Sequence, residues 1–185
     1  TLFMLLLTVF KVLLHRYSAQ TDIAVGTPIA NRTQSDLEPL IGFFVNTLCL
    51  RSDLSKNPSF AELLQQVKTT TMEAYACQEI PFEKIVEHIM PRRDRSRSPL
   101  FQVLFSLHNN PKLPALDLGE VQLTVSDFVH QTAQYDLTFN LHETSVGLSL
   151  GVEYCTDLFA ADSIQRMVEH FQNLLRAVLN TPEEK

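Results

Sequence analysis

The sequence has little cysteine, and the cysteine it has follows no pairing pattern. Cys49, Cys77 and Cys155 are an odd number of widely spaced thiols in a chain of 185 residues. This spacing matches neither a disulfide framework nor a zinc site, and it favours a reducing, cytoplasmic location. Internal repeats, low-complexity tracts and a second compositional block are also lacking, so the length fits one domain or one large subdomain.

Basic charge is scarce as well. Lys and Arg number 15 against 21 Asp and Glu, which gives a formal net charge of −6. An acidic surface repels the phosphates of nucleic acids and the headgroups of anionic membranes. We therefore expect neither a nucleic-acid partner nor a membrane partner.

The apolar run at residues 1–14 lacks the marks of a signal peptide, because no basic stretch precedes it and no small-residue cleavage site ends it. Lys11 interrupts the run, and His15 and Arg16 close it, so it is too short to span a bilayer. We predict a buried helix over residues 2–17. Since the chain begins inside that helix and without an initiator methionine, we expect it to be a piece of a longer protein.

Hydrophobic periodicity predicts an α/β fold of two layers. Strands are predicted at 22–29, 41–51, 99–107, 121–129, 135–142 and 146–155, with one helical turn in the loop at 30–40. Helices are predicted at 2–17, after Asn57, between Pro81 and Pro91, and from Asp162 to Thr181. The predicted fold class is a two-layer sandwich, with a mixed β-sheet of five to six strands and helices mainly on one face.

Several local signals sharpen these boundaries. Asn57 is expected to cap a helix whose first position is Pro58, and Asp162 is expected to cap the last helix. Gly26 is expected to permit unusual backbone angles. The alternation at 99–107 places Phe101 on the same face as Phe105.

Four segments carry motifs: Asp22–Arg32, Ile41–Arg51 (Ile-Gly-Phe-Phe-Val-Asn-Thr at its start), Gln78–Glu83 (Gln-Glu-Ile-Pro-Phe-Glu) and Arg93–Leu100 (Arg-Asp-Arg-Ser-Arg-Ser-Pro-Leu). In this order the segments resemble the condensation domain family of nonribosomal peptide synthetases. The resemblance covers essentially the whole chain, and the stretches Tyr135–Thr138 and Tyr154–Phe159 also fit it.

The resemblance implies a chloramphenicol acetyltransferase-like fold, in which two similar subdomains surround a tunnel. Residues 1–180 would be the C-terminal subdomain and residues 181–185 the start of a linker. The implied reaction is amide-bond formation between a donor acyl or peptidyl thioester and an acceptor aminoacyl thioester. The implied partners are the N-terminal half, donor and acceptor peptidyl carrier proteins and an adjacent adenylation domain. Phosphopantetheine would arrive on the carrier proteins, with no metal and no cofactor bound directly.

One element of the family is missing. The sequence has no adjacent histidines and no Asp-Gly pair, so the motif His-His-x-x-x-Asp-Gly is absent. We expect no catalytic residue in this chain and no activity from it alone. An epimerisation domain, another carrier-dependent acyltransferase and a non-catalytic recruitment module remain as alternatives. The surface meant for the missing half is expected to be apolar and to promote self-association.

Three residues are candidates for lining the tunnel: Asn46, His108 and Asn109. Asn46 is expected either to orient a substrate or to satisfy backbone groups where a strand ends. His108 and Asn109 follow a predicted strand, where side chains often line a cleft, although a simple turn before Pro111 explains them equally.

Three arginines are candidates for contact with phosphopantetheine or a carrier protein: Arg32, Arg95 and Arg97. Arg32 is expected either to bind a phosphopantetheine phosphate or an acidic partner, or to be a structural ion pair or a solvated loop residue. Arg95 and Arg97 belong to a basic run around Asp94, which is either a solvated loop or a docking site for acidic carrier proteins. The resemblance also implies that residues 110–134 reach across to the other half, and we expect this segment to be poorly anchored in the isolated chain.

Overall fold

The computed structural model describes residues 1–90, 92, 97–109 and 132–184. The helices are α1 (Leu2–Ser18), α2 (Phe60–Ala76), α3 (Phe82–Ile89) and α4 (Ala161–Asn180), with a 3-10 turn at Ser35–Leu37. The strands are β1 (Asp22–Ile29), β2 (Asn46–Asp53), β3 (Val103–His108), β4 (Leu137–Thr144) and β5 (Gly147–Tyr154). The predicted strand at 121–129 and most of the segment 110–134 lie outside the described residues.

The described strands form one mixed sheet of five, in the order β2-β1-β3-β4-β5. The pairs β1–β2 and β4–β5 are antiparallel, whereas β3 runs parallel to both β1 and β4. The hairpin β4–β5 turns at Ser145 and Val146, since Thr144 pairs with Gly147. The predicted α/β class with a mixed sheet is confirmed.

Three of the helices, α1, α2 and α4, cover one face of this sheet. Helix α1 lies in the middle and contacts both of its neighbours. Its Phe10 ring lies 5.4 Å from Phe105 of β3 and 4.6 Å from Phe139 of β4, and all three rings are fully buried. Each buried ring contributes about 1.5–3 kcal/mol relative to exposure, so this contact between helix and sheet stabilises the fold strongly. Within the described residues, no helix is long and apolar enough to cross a membrane.

The start of α2 differs from the prediction. Ser59, rather than Asn57, is the N-cap: its hydroxyl accepts from the Glu62 amide, and the Glu62 carboxylate accepts from the Ser59 amide. This reciprocal pair satisfies two backbone donors at the start of the helix. Asn57 instead takes a left-handed conformation with φ 48°.

The start of α4 also differs from the prediction. Its N-cap is Ala160, which makes no side-chain capping bond, and Asp162 lies inside the first turn. A carboxylate in the first turn still favours the helix, because it faces the free amides at the positive end of the helix dipole.

Gly26 is needed for space and not for unusual backbone angles. A Cβ atom at this position would lie 2.1 Å from Cε2 of Phe101. The ring of Phe101 therefore lies against the face of the sheet opposite the helix layer, and not on the side of Phe105 as predicted. The chain turns at Leu100, where φ is 66°, and β3 begins only at Val103.

The strand predicted at 41–51 begins at Asn46. The preceding stretch is outside the sheet and exposes apolar side chains: Ile41 is 104% and Phe43 is 92% exposed. At the other end of the chain, the segment predicted as a linker contacts α2: the main-chain oxygens of Pro182 and Glu184 accept hydrogen bonds from the amides of Ala61 and Phe60.

Candidate functional site

A cleft of about 800 Å³ opens on the side of the sheet where Phe101 covers Gly26. All four motif segments contribute to its lining, through Pro28, Asn46, Phe82 and Pro99, respectively, and Leu104 and Tyr135 complete this part of the wall. The motifs are far apart along the chain, so the fold brings them together at this one place.

Asn46 lines the cleft at the start of β2, and its side-chain amide is fully engaged. The Nδ2 atom donates to the main-chain oxygens of Gln78 and Ile80, each at 2.8 Å. The Oδ1 atom accepts from the amides of Thr47 and Phe82, at 2.9 and 3.0 Å. These bonds join the second motif to the third, as the structural alternative for this residue expected. A role for Asn46 in orienting substrate remains a prediction.

Aromatic rings join the remaining motifs around the same cleft. The Phe101 ring lies 5.5 Å from Phe82 and 5.5 Å from Tyr135, measured between ring centroids. Phe101 is 1% exposed, and burial raises the pKa of Tyr135 above its ordinary value. The cleft thus has an aromatic wall, in which Phe101 lies between the rings of Phe82 and Tyr135 and against the backbone at Gly26.

Arg32 makes structural contacts. Its guanidinium donates to the main-chain oxygens of Leu37, Glu38 and Leu40, and it lies 4.3 Å from the centroid of the Phe44 ring. The residue therefore holds the loop that leads to β2. Binding of a phosphopantetheine phosphate by Arg32 remains a prediction, and it would compete with these contacts for the same nitrogen atoms.

His108 lies at the end of β3 and stacks on His142 of β4. The two ring centroids are 4.6 Å apart and the planes differ by 14°. The Nε2 atom of His108 lies 3.1 Å from the hydroxyl of Ser106, and that hydroxyl donates to Oδ1 of Asn140 at 2.6 Å. Burial, and to a lesser degree the adjacent His142, lower the pKa of His108 below its ordinary value.

The other candidates occupy more open positions. Asn109 is exposed directly after β3, and Arg97 is exposed before it. Arg95 lies outside the described residues, together with its neighbours Arg93 and Asp94. In the described part of the chain, no cluster of three or more His, Cys, Asp or Glu side chains could hold a metal ion.

Sequence reasoning found His108 and missed its three companions, Ser106, Asn140 and His142. The signal was present, because β3 contains Ser-Leu-His and β4 contains Asn-Leu-His. In each strand the two polar residues are two positions apart and therefore share a face. Only the parallel register, which places Ser106 opposite Asn140 and His108 opposite His142, shows that the two pairs meet.

Comparison with known proteins identifies the family. The family model described as the condensation domain matches residues 1–185. The chain belongs to the condensation domain family. The motifs that meet at the cleft are therefore those of this family, and the resemblance in the sequence is confirmed.

Curated relatives of this condensation domain chain belong to nonribosomal peptide synthetases. One component of the linear gramicidin synthase of Brevibacillus parabrevis is 46% identical over 186 residues, which cover 100% of this chain and 4% of the relative. Surfactin synthase subunit 2 of Bacillus subtilis (strain 168) is 38% identical over 182 residues, which cover 98% of this chain and 5% of the relative. The chain therefore spans a small part of each of these proteins.

Solved structures share the fold. A four-domain nonribosomal peptide synthetase matches with a TM-score of 0.86 at 31% identity, covering 100% of this chain and 15% of that one. The X-domain from teicoplanin biosynthesis matches with a TM-score of 0.88 at 29% identity, covering 98% of this chain and 42% of that one. The chain thus has the chloramphenicol acetyltransferase-like fold of condensation domains and spans less than half of the X-domain chain.

Proposed function

We propose that this chain is the C-terminal half of a condensation domain that joins a donor acyl thioester to an acceptor aminoacyl thioester. The main support for this proposal is the match of the condensation domain family model to all 185 residues. The coverage of 42% of the X-domain chain supports the assignment to one half, as does the absence of His-His-x-x-x-Asp-Gly from the sequence.

In the proposed reaction, the amine of the acceptor attacks the thioester carbonyl of the donor. A C–N bond forms, the C–S bond breaks, the donor carrier leaves as a thiol, and the amine loses a proton. The general base or positioning group belongs to the preceding half, so this chain alone would be inactive. This half would supply the aromatic cleft, with Asn46, His108 and Asn109 along the tunnel and Arg32, Arg95 and Arg97 toward the phosphopantetheine arms or carriers.

The exposed apolar stretch before β2 supports the N-terminal half as the main partner. Leu40 and Val45 are each about half exposed, and Ile41 and Phe43 are almost fully exposed. Exposure of such an apolar patch to water is energetically unfavourable, and patches of this kind are typical of protein interfaces. Donor and acceptor peptidyl carrier proteins, which carry the phosphopantetheine, and an adenylation domain complete the proposed partners.

Reconstitution tests this function. The chain is combined with the preceding half of its natural protein, and loaded donor and acceptor carrier proteins are added. We expect an amide product by mass spectrometry from the combined halves and none from either half alone. The matched control changes the second histidine of the preceding half's His-His pair to alanine, which should remove the product. Failure of the combined, folded halves to form product would contradict the proposal.

A second candidate is a non-catalytic recruitment module. A further match is the teicoplanin X-domain solved in a complex with OxyB, at 30% identity and a TM-score of 0.86. Under this alternative, the preceding half would lack a working His-His motif, and the combined halves would bind an enzyme without forming product. Epimerisation, or acyl transfer by another carrier-dependent relative, would instead change the product identified by mass spectrometry.

A further inference from the structure

A row of side chains on β3 leads away from the cleft along the face of the sheet opposite the helix layer. Leu104 lines the cleft, and Ser106 and His108 follow on the same face at every second position. On the neighbouring strand, Asn140 lies opposite Ser106 and His142 opposite His108. Four polar side chains therefore form one group on the face of the sheet that Leu104 shares with the cleft.

The protons in this group can be assigned from the contacts. The Ser106 hydroxyl has one proton, which it donates to Oδ1 of Asn140 at 2.6 Å. The contact of 3.1 Å between Ser106 Oγ and His108 Nε2 then requires Nε2 to be the donor. His108 is therefore protonated on Nε2. In the described part of the chain, no residue donates to its Nδ1 atom.

Burial favours a single proton on His108, because a second proton would give this partly buried ring a charge. The adjacent His142, whose ring is stacked 4.6 Å away, lowers the pKa of His108 to a lesser degree. Near neutral pH, His108 is thus an uncharged ring with one donor, already used by Ser106, and one acceptor.

We propose that Ser106, Asn140 and His142 hold His108 as its Nε2–H tautomer, so that the Nδ1 atom accepts a hydrogen bond from an N–H group of the carrier-bound acceptor. Only the identity of this ligand rests on the proposed function; the tautomer does not. Two sources offer such a donor: the amine of the acceptor amino acid and the amides of its phosphopantetheine arm.

Nuclear magnetic resonance of the histidine ring nitrogens tests the tautomer in this chain alone, at pH 7.5. We expect the His108 signals of a protonated Nε2 and an unprotonated Nδ1. In Ser106→Ala the donor loses its acceptor, and the signals should move toward a mixture of tautomers. Ser106→Thr is the matched control, because its hydroxyl can still accept from Nε2 and donate to Asn140, so the tautomer should be kept. A protonated Nδ1 in the wild-type chain would overturn the proposal without touching the proposed function.

A pair of variants tests the ligand contact in the reconstituted domain. His108→Gln places an amide where Nε2 was, so it keeps a donor to Ser106 and loses the Nδ1 acceptor. His108→Asn keeps an acceptor near Nδ1 and loses the donor. We expect His108→Gln to raise KM for the loaded acceptor carrier roughly three- to tenfold, the worth of one hydrogen bond, with little change in kcat. His108→Asn should be closer to wild type.

Binding of the acceptor carrier, measured with and without its amino acid, distinguishes the amine of the amino acid from the amides of the phosphopantetheine arm as the donor. Weaker binding of both forms to His108→Gln would assign the contact to the arm, and weaker binding of the aminoacyl form alone would assign it to the amine. An unchanged KM and unchanged binding in a domain that still forms product would refute the contact. A domain that forms no product even with wild-type His108 would instead count against the proposed function.

Discussion

Lys11 is a charged residue in an otherwise apolar part of α1, and its side chain is fully buried. The Nζ atom donates to the main-chain oxygen of Leu50 at 2.8 Å and to the Ser52 hydroxyl at 2.7 Å. Burial lowers the pKa of Lys11 from 10.5 to about 7, against a smaller opposing effect of Cys49. No carboxylate bonds to this amine among the described residues, so its charge is costly in the folded state.

The lowered pKa fixes the sign of a pH dependence. Below about pH 7 both states carry the proton, and the full cost of burying the charge is present. Above that value the unfolded chain, whose pKa is near 10.5, holds the proton while the folded chain releases it. The free energy of unfolding should therefore rise between pH 7 and 8.5, by at most about 1.4 kcal/mol per pH unit.

Lys11→Met should remove this rise, because the thioether fills similar space and has no proton to release. Urea unfolding at several values between pH 7 and 8.5, followed by circular dichroism, measures the slope. Lys68→Met, at an exposed position of α2, should keep the wild-type slope. The window stops at pH 8.5 because burial raises the pKa of Cys49 above 9.0, which adds an opposite slope at higher pH. A wild-type slope near zero would contradict a depressed pKa.

At the scale of elements, the N-terminus of α2 shows how a helix start is completed by a distant segment. Ser59 and Glu62 satisfy each other's amides. The two amides between them donate elsewhere: Phe60 to the Glu184 oxygen at 3.1 Å and Ala61 to the Pro182 oxygen at 2.9 Å. The segment after α4 is therefore part of the hydrogen-bonded fold, because it supplies acceptors for two amides of α2.

Removal of residues 182–185 should expose these two amides to solvent. We expect hydrogen exchange at Phe60 and Ala61 to become roughly fivefold faster, the worth of about one hydrogen bond each. The Glu62 amide is the internal control, since its acceptor Ser59 remains. Equal protection of Phe60 and Ala61 in the full and shortened chains would show that the segment is not held there in solution.

The same helix shows what the sequence predicts and what it does not. The apolar spacing of Phe60, Leu63 and Val67 correctly predicted a helix, because periodicity is a local property. The start was wrong, since Asn57-Pro58 and Ser59-x-x-Glu62 are both helix-start signals and only the reciprocal bonds decide between them. Phe101 was likewise assigned to the wrong face, because its position depends on Gly26, which is far away in the sequence.

At the scale of the whole molecule, strand order was beyond local reasoning. The sheet order β2-β1-β3-β4-β5 requires β1 to lie beside β3, and the single residue pair recorded between them is Gly26 with Leu104. The cleft depends on this pairing, since it brings Phe101 onto Gly26 and Leu104 beside both. The family motifs indicate from the sequence that these segments contribute to one site. The contacts of Asn46 and Phe101 show how the segments meet at the cleft.

The exposed apolar stretch at residues 40–45 leads to a prediction about the isolated chain. Because Ile41 is 104% and Phe43 is 92% exposed, we expect the chain to self-associate at micromolar concentrations when no other half is present. Ile41→Ser combined with Phe43→Ser should shift sedimentation velocity profiles toward the monomer.

Val146→Ser is the matched control, because Val146 is 95% exposed in the β4–β5 turn, away from this stretch. If the control lowers self-association as much as the double variant, the effect reflects general surface hydrophobicity. If the double variant also loses binding to the preceding half while Val146→Ser retains it, both associations use this stretch, and self-association substitutes for the missing half.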